Sequence, residues 1–159
     1  MKTLKLSSII YLFVLLISVQ FATAQRLVNA SEVTPALLKE TCDNAYIEII
    51  EVKDTYIKIK NTYNVYLDID SSKRFVTFSS VYNLVEGASK KDALELVNKL
   101  NAEVALIKTY YSESTNTITY FYYFWTEGGF TQKSLISSLR LYKTALDLSL
   151  DKDTAKLIK

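Results

Sequence analysis

The chain has 159 residues, 49% of them hydrophobic, with 19 basic against 17 acidic side chains and no histidine. Without histidine there is no usual general base near neutral pH, no Ser-His or Cys-His nucleophile pair, and no supply of the commonest transition-metal ligand. Three glycines are too few for a phosphate-cradling loop, and one cysteine, Cys42, excludes an internal disulfide.

Lys2 and Lys5 precede an apolar stretch that contains the run Ile9–Ile17, and Ala22-Thr23-Ala24 follows. That is the layout of a cleaved secretory signal over residues 1–24. The run is shorter than the about 20 residues that cross a bilayer. The chain is therefore expected to be exported, to the periplasm or outside the cell, with no membrane span after cleavage. Loss of Lys2 and Lys5 leaves 17 basic against 17 acidic residues. Nucleic-acid binding is not expected of a chain without a net positive field.

Residues 25–33 read as a leader, within which Asn29-Ala30-Ser31 matches a glycosylation sequon, and 34–155 as one domain. Thr34-Pro35 is an N-cap followed by proline at the first helical position, opening a helix to about Asp43 that carries a half-buried Cys42. Tyr46–Val52 fits a helix end or an extra strand. "TYIKIK" (Thr55–Lys60) and "YNVYLDID" (Tyr63–Asp70) alternate with period two, Val65, Leu67 and Ile69 facing one way and Tyr66, Asp68 and Asp70 the other. Arg74–Tyr82 is a third strand. Ser89, with Asp92 three residues on, caps a helix whose stripe is Ala93, Leu96, Val97 and Leu100. Val104–Tyr111 is a strand, "TITYFYYFW" (Thr117–Trp125) is another, and Gly128-Gly129 break the chain before a helix capped by Thr131. The order is α-β-β-β-α-β-β-α, an α+β fold on an antiparallel sheet.

"GASKKDALELVNKLNAEVALIKTYY", with Asn98-x-x-Asn101 at the end of its helix, resembles the YbjN domain, as do the alternating strand, Gly-Gly break and final helix that follow. The resemblance covers about Thr34 to Leu150. It implies a fold similar to that of type III secretion chaperones, small α+β domains, often paired, that hold protein segments. It also implies a regulator of bacterial signalling, with no reaction and no cofactor.

The residues offer no catalytic or metal site. Asp68, Asp70 and Ser72 begin like a calcium loop, but Lys73 stands where glycine is needed and Ser79 where the bidentate Glu is needed; a solvated strand face is expected instead. Tyr56 and Lys60 have the Tyr-x-x-x-Lys spacing of a dehydrogenase pair, yet on a strand they lie roughly 13 Å apart. Glu48, Glu51, Glu95 and Glu103 show no spacing that pairs them. Asn98 and Asn101 border the buried stripe, where they are expected to satisfy helix-end carbonyls, with a ligand-binding pair as the alternative.

Six consecutive rings, Tyr120 to Trp125, must serve both faces of a strand. The less polar Phe121, Tyr123 and Trp125 are expected inward. Tyr120 and Tyr122, with Tyr66 and Tyr56, are expected outward, as a wet sheet face or a partner surface. In the last helix Leu135, Leu139, Tyr142, Leu146 and Leu150 form the main stripe, while Leu141 and Leu148 lie on another face. The expected function is that of a non-catalytic binding module for a protein partner or a second copy. The alternative is a small-ligand or envelope-fragment sensor using the tyrosine face.

Overall fold

A computed structural model describes residues 26–159, so the expected signal and its cleavage point lie outside the described residues. The elements are β1 (Leu27–Val28), a 3-10 turn (Ala30–Glu32), α1 (Pro35–Asn44), β2 (Glu48–Val52), β3 (Tyr56–Asn61), β4 (Tyr63–Ile69), β5 (Phe75–Asn83), α2 (Lys90–Glu103), β6 (Lys108–Ser112), β7 (Thr117–Trp125), β8 (Phe130–Thr131) and α3 (Gln132–Asp151).

Each helix starts where its cap places it. Thr34 Oγ1 accepts from the Leu37 N–H, Ser89 and Asp92 form a reciprocal capping box, and Thr131 and Ser134 form another. The ambiguous segment resolves as β2. It pairs antiparallel with β3 through a bulge between Ile49 and Glu51, and the pairing sets Glu48 opposite Lys60 and Glu51 opposite Lys58.

The main sheet has the order β2-β3-β4-β5-β7-β6, every neighbour antiparallel. β1 and β8 form a small second ladder. There Gly129, at φ +87°, lies so close to Leu27 that a Cβ would sit 2.9 Å from that side chain.

The helices cover one face of the main sheet. Ile57, Ile59, Val65, Leu67, Val76, Phe78, Ile118 and Tyr120 from the strands join Leu38, Leu100, Leu135, Leu139 and Leu146 from the helices in one core. The expected main stripe of α3 is buried except for a half-buried Leu150, while Leu141 and Leu148 remain over half exposed. The chain beyond α3 folds back: Asp153 accepts from the Leu157 and Ile158 N–H groups, and Ile158 bridges to Leu84.

The facing of β7 corrects the sequence expectation. Tyr120 is 0% exposed and Tyr122 is half-buried against the core, whereas Tyr123 is 45% and Trp125 61% exposed. The cause is register: Tyr120, Tyr122 and Phe124 stand opposite Ser80, Phe78 and Val76, whose strand turns Val76 and Phe78 into the core. Ring polarity does not decide the matter. The phenol of Tyr120 is buried whole, its Oη without a hydrogen-bond partner among the described residues, and burial pushes its pKa up.

Candidate functional site

Among the described residues, no helix covers the face of the sheet away from α1–α3. Alternation along each strand brings Tyr56, Tyr66, Phe75, Tyr110, Phe121, Tyr123 and Trp125 onto it. Neighbouring rings meet edge to face: Phe75 with Trp125 at 5.7 Å and with Tyr123 at 5.0 Å, Phe121 with Tyr123 at 5.3 Å and with Tyr110 at 5.8 Å. On β3 and β4, Tyr56 and Tyr66 meet at 5.7 Å, and the Lys58 ammonium lies 5.0 Å from the Tyr66 ring centre. These contacts prearrange the rings, so little side-chain freedom remains to be lost on binding.

Of the expected surface residues, the structure places Tyr56 and Tyr66 on this face and Tyr120 and Tyr122 on the opposite one. It adds Phe121, Tyr123 and Trp125, which were expected inward, and Phe75 and Tyr110, which the sequence reading did not single out. A signal for the facing lies just before the ring run. Thr117 and Thr119 share parity with Phe121, while Ile118 shares it with Tyr120.

Polar groups on the face differ in how they are satisfied. Glu51 accepts from the Tyr56 hydroxyl at 3.1 Å and pairs with Lys53 at 3.0 Å, and these bonds hold its carboxyl below the usual range. The Ser72 hydroxyl, 2.6 Å away, does the same for Asp70. Asp68 is different. It is half-buried instead of solvated, has no hydrogen bond or ion pair among the described residues, and burial alone pushes its carboxyl above the usual range.

Asn98 and Asn101 do not converge. Asn101 reaches past the helix end to β6, where its amide donates to the Thr109 carbonyl and its oxygen accepts from the Thr109 N–H, both at 2.9 Å. It thereby occupies the free edge of the sheet instead of the helix's own carbonyls. Asn98 is exposed and makes no hydrogen bond among the described residues.

Among the described residues no group of three His, Cys, Asp or Glu is placed to hold a metal ion. Cys42 is fully buried, and its thiol is pushed up to about 12 by that burial, so it carries no thiolate near neutral pH. A half-open groove of about 640 Å³ lies on the helix side between α1 and α3, bordered by Arg26, Glu32, Glu40, Lys133 and Arg140. Among the described residues no helix is long and apolar enough to cross a membrane.

An antiparallel sheet with helices on one face and an aromatic open face defines a small α+β domain. The family model for YbjN, described as "Putative bacterial sensory transduction regulator", matches residues 34–152, and the chain belongs to that family. Among solved structures it is similar to "YbjN, a putative transcription regulator from E. coli", with a TM-score of 0.70 and 13% identity over 84% of this chain and 99% of that one. That likeness shows the fold. No curated protein matches the chain.

Proposed function

We propose that the chain is an exported, non-catalytic regulatory module that captures a protein partner on the open face of its sheet. The observation that carries this is the continuous band of rings from Tyr110 to Trp125 and Phe75, which no helix among the described residues covers. A broad, flat surface rich in Tyr, Trp and Phe has the composition of a protein interface core, and exposed apolar bands of this kind mark association sites. Family membership supports a regulatory role, and the basic start, apolar run and Ala-x-Ala of residues 1–24 support export. The small-ligand alternative is favoured by a different feature, the groove between α1 and α3, whose volume suits a metabolite.

A photoreactive side chain at position 125 tests the main reading. It is expected to cross-link the envelope-localised protein to another polypeptide. The same group at position 94, on the solvent side of α2, is expected to cross-link nothing. Equal yield from both positions, or none from either, refutes the open face as the binding surface. Export is tested separately, by a mature N-terminus at Gln25.

A further inference from the structure

We propose that the open face recognises an arginine of its partner, flanked by apolar residues, with Asp68 as the ion-pair acceptor and Tyr56 and Tyr66 beside it as stacking walls. This rests on the open face being the binding surface.

The alternation of β4 sends Val65 and Leu67 into the core and therefore Asp68 out. Register then sets Asp68 in a row across the face, Tyr56 on one side and Thr77 then Tyr123 on the other. Half-buried among these side chains, the carboxylate has no cation or donor within the described residues. A partly desolvated charge without a partner costs free energy, and nothing within the described residues offsets it. An incoming cation would. Lys58, one row away, is already occupied over the Tyr66 ring at 5.0 Å, and it shows that rings of this face take a cation.

Guanidinium suits the site better than ammonium. Its plane stacks on tyrosine while its fork donates two parallel bonds to one carboxylate. Apolar residues beside the arginine would then reach Tyr123 and Trp125, about two strand spacings away. A second copy of this chain fits less well. Arg26 and Arg140 border the groove on the helix side, and Arg74 sits 3.9 Å from Asp70 at the end of the sheet.

Trp125 is the only tryptophan in the chain and lies on this face, so its emission reports occupancy directly. The probe is the blocked peptide acetyl-Gly-Leu-Arg-Leu-Gly-amide, compared with the same peptide carrying citrulline, which keeps the shape and loses the charge. Binding is read by Trp125 emission and by the amide shifts of Asp68 and Thr77. The arginine peptide is expected to bind at least about 10-fold more tightly than the citrulline peptide. Asp68→Asn is expected to erase that preference and Asp68→Glu to keep it, with both variants melting as a folded domain.

Equal binding of the two peptides, or a preference that survives Asp68→Asn, overturns the arginine site while leaving position 125 cross-linking intact. Failure of both peptides to bind also overturns it. Sedimentation as a dimer with Trp125 shielded from quencher overturns it in favour of a second copy. Loss of cross-linking at position 125 is the separate failure of the binding face itself.

Discussion

The two faces of the sheet carry rings in similar number, but the rings have different neighbours. On the helix side Phe78 stacks on Phe124 at 5.9 Å and meets Tyr142 at 6.1 Å, and helices close the layer above them. On the open side Phe75, Phe121, Tyr123 and Trp125 meet one another and Tyr110, and among the described residues no helix closes over them. Aromatic content therefore does not distinguish the core face from the open face in this chain. What distinguishes them is which parity of each strand the helices cover, a property of the whole sheet.

The comparison breaks most sharply at Tyr120. Truncating it to alanine is expected to cost about 3–5 kcal/mol, as large core deletions do, read as a fall in the denaturation midpoint. Tyr120→Phe should be neutral or stabilising by up to about 1 kcal/mol, because the hydroxyl it removes is buried without a partner. A large loss from Tyr120→Phe would mean that the hydroxyl is hydrogen-bonded after all, for instance to a buried water.

Asn101→Ala comes next, at about 1–3 kcal/mol, since it strands the N–H and C=O of Thr109, itself 5% exposed. Asn98→Ala, with no hydrogen bond to lose among the described residues, should change the melting midpoint little. Unchanged stability with lost biological activity in both variants would restore them as a ligand-binding pair.

These cases also show what the sequence could disclose. The helix starts were legible because capping is local: Thr34-Pro35, Ser89 with Asp92, and Thr131 each act within one turn. The inward faces of β3 and β4 were legible because only one parity is apolar. β7 was not, because both parities carry rings and the deciding contacts, Tyr122 with Phe78 and Phe124 with Val76, come from a strand 44 to 48 residues earlier. β2 was ambiguous because its strand character depends on pairing with β3. Asn101 was visible as a residue bordering a helix stripe, but its partner Thr109 lies beyond a turn in which Leu106 adopts φ +70°. The isolation of Asp68 was hidden for the same reason, since it depends on what β3 and β5 place beside it.

A pH series separates the faces by sign. Asp147, where α3 meets Tyr63, accepts from Lys143 and from the Tyr63 hydroxyl, both at 2.7 Å, and these hold its carboxyl below the usual range. Its contribution is present above the unfolded pKa of about 3.9 and is lost as pH falls through the lowered folded value. Asp68 has a raised carboxyl, so its term runs the other way: stability is greatest below the unfolded pKa and is lost as pH rises through the folded one. At neutral pH Asp147→Asn should lower the denaturation midpoint and Asp68→Asn should raise it. Both differences should shrink in acid, that of Asp68 at the higher pH. A destabilising Asp68→Asn at neutral pH would show that the carboxylate has a partner within the fold.

A small effect is expected at Trp125, and it is the most informative against its neighbour. Phe124 is 6% exposed, stacked on Phe78 and edge-on to Phe130 at 5.2 Å, so Phe124→Ala should cost about 3–5 kcal/mol. Trp125 is the larger ring, yet it is 61% exposed and its aromatic contact is with Phe75. A cross-strand pair of that kind is worth about 0.2–1 kcal/mol, so Trp125→Ala should cost less than about 1 kcal/mol while removing the largest ring of the proposed binding surface. Adjacent residues of one strand would then differ several-fold in their effect on folding and in the opposite order in their effect on capture of a partner. If the two alanine variants instead melt together, something covers Trp125 in solution, and the open face is already an interface.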